Sequence, residues 1–81
     1  MNWTDEQIQA VWEKGTTVDK NDPDIFRKDF QGNWIRRDKY GVDRDTQFQW
    51  EIHHVKKTSD GGSNDIDNLV PLSGKPNAKI Q

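Results

Sequence analysis

The spacing of apolar and polar residues predicts one helix near the start of the chain. Apolar residues recur at helical spacing from Ile8 to Trp12. Thr4 followed three residues later by Gln7 forms a capping box ahead of them, and a glycine follows as a natural stop. We therefore expect an amphipathic helix over 5–14 that braces the fold and takes no part in chemistry.

Three later stretches have the residues typical of short strands. Aromatic and β-branched residues around Gln31-Gly32-Asn33 predict a hairpin across 28–37. Residues 49–56 form the clearest strand, in which alternate side chains share a face. Leu69-Val70-Pro71-Leu72 predicts a second, shorter strand. Pro76 is expected to open a final helix over 76–81.

Composition limits the classes of protein that fit this pattern. The 81 residues are expected to form one domain, over 1–81, although only 30% of them are hydrophobic. Four tryptophans can each bury a large apolar area, which argues for a folded core. The absence of cysteine excludes disulfides and thiolate zinc sites. No apolar run is long enough for a signal peptide or a membrane helix, so we expect a soluble, cytoplasmic protein.

The distribution of charge is more informative than the net charge of −2, which is unusual for a protein that binds nucleic acid. Residues 27–57 carry eight basic and five acidic side chains, whereas the flanking segments are net acidic. Arg36, Arg37, Lys56 and Lys57 are the candidates for contacts with phosphate. For each of them, ordinary solvated surface charge is an equally good interpretation.

The two histidines of the chain, His53 and His54, are adjacent. Neutral imidazole binds divalent metals and also acts as a base near neutral pH, so one histidine could ligate while the other takes a proton. A regular strand would point them to opposite faces, and a shared site requires the strand to end or distort there. A pair of structural or surface histidines is the alternative, and the downstream glycines and asparagines argue against it.

Residues 50–79 resemble the motif of the HNH endonuclease family. The elements that carry the resemblance are Trp50-Glu51-Ile52, His53-His54, Gly61-Gly62, Asn68-Leu69 and Asn77. The Glu-aliphatic-His-His start is similar to the colicin-type DNases. The ending at 77–79 resembles small phage and restriction-associated HNH proteins, as do upstream Val11-Trp12-Glu13-Lys14-Gly15 and Arg27-Lys28-Asp29 with Gly32 and Ile35.

The resemblance implies a fold and a set of site residues. The fold is a small α+β domain, with a ββα-metal core over about 50–81, an N-terminal helix and an additional short hairpin. His53 and Asn77 take the positions of metal ligands, and His54 takes that of the general base. Asn68 takes the middle catalytic position, where the family's residue holds the turn and the base histidine. One divalent metal is implied; Mg²⁺ is favoured, and Mn²⁺, Ni²⁺ and Zn²⁺ remain alternatives.

The function implied is metal-dependent hydrolysis of phosphodiester bonds, with double-stranded DNA as the expected partner, in a bacterial or phage-infected cell. The chain could also work within a larger protein assembly. Because strand geometry puts Glu51 on the other face from His54, we expect a backbone carbonyl to fix the tautomer of His54. The alternatives are a nucleic-acid-binding module that has lost activity, which the lack of a carboxylate ligand favours, and a structural or interaction domain without nucleic acid.

Overall fold

The computed structural model describes residues 2–74, which form one helix and two antiparallel hairpins. Three single 3₁₀ turns, Arg37–Lys39, Thr58–Asp60 and Ile66–Asn68, lie between these elements. The helix and strands are α1 (Asp5–Trp12), β1 (Phe26–Lys28), β2 (Trp34–Arg36), β3 (Glu51–His54) and β4 (Leu69–Leu72). The α+β class is as expected. The final helix expected over 76–81, and Asn77 with it, lies outside the described residues, so a ββα core is not established.

The capping box at the start of α1 is confirmed. The Thr4 hydroxyl accepts a hydrogen bond from the Gln7 backbone N–H at 3.1 Å, and the Gln7 side chain accepts from the Thr4 N–H at 2.8 Å. The helix ends at Trp12, two residues earlier than expected. The backbone N–H groups of Lys14 and Gly15 bond to carbonyls three residues back, which tightens the last turn before the glycine.

The hairpin of β1 and β2 is present, but the connection between its strands starts earlier than expected. β1 ends at Lys28 because the buried carboxylate of Asp29 accepts hydrogen bonds from the backbone N–H groups of Gln31, at 3.0 Å, and Asn33, at 2.8 Å. A short acidic side chain that bonds local backbone in this way competes with strand pairing. Phe30, which was expected in the strand, is therefore 65% exposed.

The hairpin of β3 and β4 pairs Glu51 with Leu72 at one end and His54 with Leu69 at the other. β4 has the predicted bounds, whereas β3 is shorter than the predicted 49–56. The alternation is confirmed, because Ile52 and His54 are half-buried while Glu51 and His53 are exposed. Beyond the end of β3 the Val55 N–H donates to the backbone carbonyl of Asn68. The N–H of the following residue, Lys56, donates to the side-chain oxygen of Asn68 instead.

The core lies between α1 and the two hairpins. Trp12 and Trp50 are fully buried with ring centroids 5.3 Å apart, and the Trp12 indole N–H donates to the Pro23 carbonyl at 2.9 Å. The other buried apolar residues in the described part of the chain are Val11, Ile35 and Leu69. Within residues 2–74, no helix has the length and apolar character needed to cross a membrane.

Polar side chains from distant parts of the chain hold the end of β4. The Ser73 N–H donates to the Asp29 carboxylate at 3.0 Å, and the Gly74 N–H donates to the side-chain oxygen of Gln49 at 3.0 Å. The Arg44 guanidinium donates to the Gly74 carbonyl. A Cβ at Gly74 would lie 2.4 Å from the Gln49 side-chain oxygen, so a larger residue there would have to displace this buried amide. The backbone that leads toward residue 75 is thus anchored on both sides.

Candidate functional site

Both histidines line one open pocket at the end of β3. The pocket has a volume of about 380 Å³ and includes Ile52 and Lys57 beside the two imidazoles. The hydroxyl side chains of Thr58 and Ser59 complete its lining among the described residues. The side chains of His53 and His54 alternate along β3, and both residues border the pocket at the end of this strand. These residues are called the histidine pocket below.

The ring of His54 is held from two directions. Its Nε2 lies 2.7 Å from the side-chain oxygen Oδ1 of Asn64, a hydrogen-bond distance. The Trp3 ring packs against it, with centroids 5.8 Å apart and planes tilted by 44°. The partner of the imidazole is therefore a side-chain amide, and the expectation of a backbone carbonyl was wrong. Glu51, as expected, projects from the other, exposed face of β3.

Asn68 connects the two ends of the loop that follows β3. Its side-chain oxygen accepts from the Lys56 N–H at 2.8 Å. Its amide nitrogen donates to the Lys56 carbonyl at 3.0 Å and to the Ser63 carbonyl at 2.8 Å. One side chain thus satisfies three backbone groups, which sets where the loop leaves β3 and where it returns. Within residues 2–74 the side-chain hydrogen bonds of Asn68 all go to backbone groups, and a catalytic role for it remains a prediction.

The Gly-Gly pair has a steric origin at its second position. A Cβ on Gly62 would lie 1.9 Å from the Lys56 carbonyl oxygen and 2.9 Å from the Asn68 amide nitrogen. The Gly62 N–H also donates to the Lys57 carbonyl at 2.9 Å. Gly61 has a φ of +90°, in the left-handed region that glycine adopts without strain. Only glycine at position 62 therefore allows the loop to pack this closely against the backbone of Lys56.

Lys14 joins α1 to the turn that carries Asn68. Its ammonium group donates to the carbonyls of Ile66 at 2.7 Å and Leu69 at 2.6 Å. Lys14 lies two residues after the end of α1, so this contact ties the segment that follows the helix to the turn. The sequence indicated Lys14 only as part of a stretch that resembles small HNH proteins, and it did not indicate a site role for Trp3 or Asn64. The one signal for Asn64 was its position in a polar loop after the glycines.

The four basic candidates for phosphate contacts lie in different settings. Lys57 lines the histidine pocket, and the backbone of Lys56 is held by Asn68. Arg36 forms an ion pair with Asp38 at 3.0 Å. Arg37 is half-buried and donates to the Gln9 side chain at 3.0 Å, with its guanidinium 6.0 Å from the centroid of Trp50. Their contacts with phosphate remain predictions, and Lys57 has the most direct position for one.

The protein ligands available for a metal are few. Among residues 2–74, no group of three or more His, Cys, Asp or Glu side chains could hold a metal ion. His53, whose side chain is exposed, lines the histidine pocket, and a single imidazole suits a metal that keeps water and substrate oxygens as its other ligands. Asn77, the second expected ligand, lies outside the described residues.

Residues 41–75 match the family model of the HNH endonuclease. The match confirms the resemblance on which the site was predicted and indicates a nuclease-type or nucleic-acid-binding function. It spans β3, both histidines, the Gly-Gly loop and Asn68. Neither the curated proteins nor the solved structures gave a match to this chain.

Proposed function

Residues 41–75 match the HNH endonuclease family, and from this premise we propose that the protein is a metal-dependent endonuclease that hydrolyses phosphodiester bonds in double-stranded DNA. The observation that carries the proposal is the pair of histidines in one open pocket, with the ring of His54 held by Asn64 and Trp3. A small phage or restriction-associated protein of the bacterial cytoplasm, working alone or within a larger assembly, fits this activity.

His54 is the general base of the proposed reaction. Its imidazole accepts a proton from water, and the water oxygen attacks the phosphorus as the bond to the 3′ oxygen breaks. An imidazole is suited to this step because its neutral form has an unprotonated ring nitrogen that can accept a proton. The ammonium group of Lys57 shares the pocket and would attract the phosphate, although it is not required for the proton transfer.

His53 and Asn77 are the proposed metal ligands. His53 is exposed and lines the same pocket as His54, which supports assigning both residues to one site. The metal, when bound, would stabilise the negative charge that develops on the scissile phosphate and the leaving oxygen. One imidazole and one amide leave several coordination positions for water and phosphate, which favours Mg²⁺ over Mn²⁺, Ni²⁺ or Zn²⁺.

Asn68 acts on the proposed reaction through the loop and not on the substrate. Its three hydrogen bonds hold the backbone of Lys56 and Ser63, and this loop carries both Lys57 and Asn64 toward the pocket. Arg36, Arg37 and Lys56 are the proposed further contacts to the phosphate backbone, with Arg37 contributing least because its guanidinium is engaged with Gln9.

A nucleic-acid-binding module without activity is the second candidate function. The proposed ligand set contains no carboxylate, and a neutral set of one imidazole and one amide gives weak affinity for a hard cation. The net charge of −2 fits modest, salt-sensitive DNA binding better than strong binding. Binding without cleavage at low salt would identify this alternative.

The test is cleavage of supercoiled plasmid by the purified protein across Mg²⁺, Mn²⁺, Ni²⁺ and Zn²⁺. EDTA and His54→Ala are the negative controls, and Gln47→Ala is a matched surface control because Gln47 is exposed. We expect metal-dependent nicking that both negative controls abolish and Gln47→Ala retains. His53→Ala should also weaken metal binding. No cleavage by folded protein with any metal would contradict the proposal, and a gel shift would then test for binding.

A further inference from the structure

We propose that Asn64 is a positioning residue that selects the tautomer of His54, with the hydrogen on Nε2 and the lone pair on Nδ1. The consequence of this tautomer for cleavage rests on the proposed nuclease function, whereas the tautomer itself does not. The HNH match indicates a family and assigns no role to Asn64.

The direction of the hydrogen bond follows from the chemistry of the two groups. The Oδ1 atom of an asparagine can only accept, so the Nε2 atom that lies 2.7 Å away must donate. A neutral imidazole has one N–H, and donation from Nε2 therefore leaves Nδ1 as the unprotonated nitrogen. Within the part of the chain that the structure describes, Nδ1 of His54 has no hydrogen-bond partner.

Asn64 is held between anchored neighbours. The Ser63 carbonyl accepts from the Asn68 side chain at 2.8 Å, and the Ser63 hydroxyl accepts from the Asp65 N–H at 3.2 Å. The Asp65 carbonyl accepts from the Asn68 N–H at 2.8 Å. Asn68 thus grips the residues on both sides of Asn64, which restricts where the Asn64 amide can point. The tight contact at Gly62 fixes the loop on its other side.

This arrangement prepares His54 for the transfer of a proton from water. A base must present a lone pair to water, and the other tautomer would present an N–H at Nδ1 in its place. When Nδ1 takes the proton, Oδ1 of Asn64 stabilises the resulting imidazolium, because a hydrogen bond to a charged donor is stronger than one to a neutral donor. Trp3 packs against the ring and limits its rotation away from Asn64.

The first test is nitrogen NMR of the isotopically labelled protein at a pH where imidazole is neutral. His53→Gln identifies the His54 signals, since the chain has two histidines. In the parent we expect Nε2 to carry the hydrogen in nearly all molecules. Asn64→Ala should give a mixture of tautomers, and Asn64→Asp, which keeps an accepting oxygen, should retain the parent pattern. An unchanged tautomer in Asn64→Ala would overturn the proposal.

The second test is kinetic. Asn64→Ala should lower kcat roughly 10- to 100-fold, a size typical of residues that orient a catalytic imidazole, with little change in KM. Asn64→Asp should restore most of the activity. If Asn64→Asp loses the parent tautomer as Asn64→Ala does, the amide nitrogen faces His54 and the proposal is wrong. A parent that does not cleave DNA but shows the expected tautomers would contradict the proposed function alone.

Discussion

Replacing Asn68 with alanine should destabilise the protein by about 2–3 kcal/mol. The substitution removes three hydrogen bonds to backbone, and each is worth about 1 kcal/mol net. Asn68 is half-buried, so water can replace part of what is lost and the sum lies at or below 3 kcal/mol. For a domain of this size that corresponds to a fall in melting temperature of roughly 10–20 °C.

Chemical denaturation followed by tryptophan fluorescence measures this change, since two of the four tryptophans are fully buried. Gln47→Ala is the matched control, and it should shift stability by less than about 0.5 kcal/mol. Asn68→Asp should also destabilise, because it places a carboxylate against the carbonyls of Lys56 and Ser63. If Asn68→Ala and Gln47→Ala unfold at the same denaturant concentration, the reasoning is refuted, because the three hydrogen bonds of Asn68 would then contribute nothing to stability.

Three further predictions concern the residues around the site. Gly62→Ala should lower the free energy of unfolding by about 3 kcal/mol, measured by thermal unfolding, because its Cβ would collide with backbone. The comparison variant Gly32→Ala should lower it by about 1–2 kcal/mol, because φ is +84° there but the space around the Cβ is open. Equal losses in the two variants would contradict the steric argument. Lys14→Met should lower the free energy of unfolding by about 1–2 kcal/mol, because it removes the two hydrogen bonds to carbonyls. An unchanged free energy of unfolding would show that these hydrogen bonds do not stabilise the fold. Burial, and then the Glu51 carboxylate, raise the pKa of Tyr40 above its ordinary value of 10.0, so the folded state retains the proton longer. The free energy of unfolding should therefore fall as the pH rises above 10, and Tyr40→Phe should reduce this fall. The near-ultraviolet absorbance of this single tyrosine should change at a higher pH in the folded protein than in the unfolded protein.

Elements specified by neighbouring residues were predictable from the sequence. The cap of α1 depends on two side chains three positions apart, and the structure has both of its hydrogen bonds. The bounds of β4 follow from a short apolar run, and the two faces of β3 follow from the period of a strand. In each case the local chemistry and the tertiary packing favour the same conformation, so a pattern over a few residues was sufficient.

Contacts between distant segments were not predictable in this way. Asp29 looked like part of a strand, but its carboxylate bonds both its own turn and the Ser73 N–H, 44 residues away. Lys14 looked like a surface residue of a helix, although its ammonium group reaches Ile66 and Leu69. Nothing in the residue type of Asn64 distinguishes a loop asparagine from a partner of His54. Such roles depend on which segments fold together, and spacing along the chain does not report that.

The way the site is held determines which substitutions can separate chemistry from folding. The described core has five buried apolar residues, so hydrogen bonds from Asn68 and Lys14 to backbone supply much of the order of the loop beside the histidines. Loss of activity in variants of those two residues would therefore mix misfolding with loss of function. His54 contributes one side-chain hydrogen bond among residues 2–74, to Asn64, and it is only half-buried. Its replacement by alanine should cost about 1 kcal/mol or less, and a complete loss of cleavage in that variant would identify the chemical step itself.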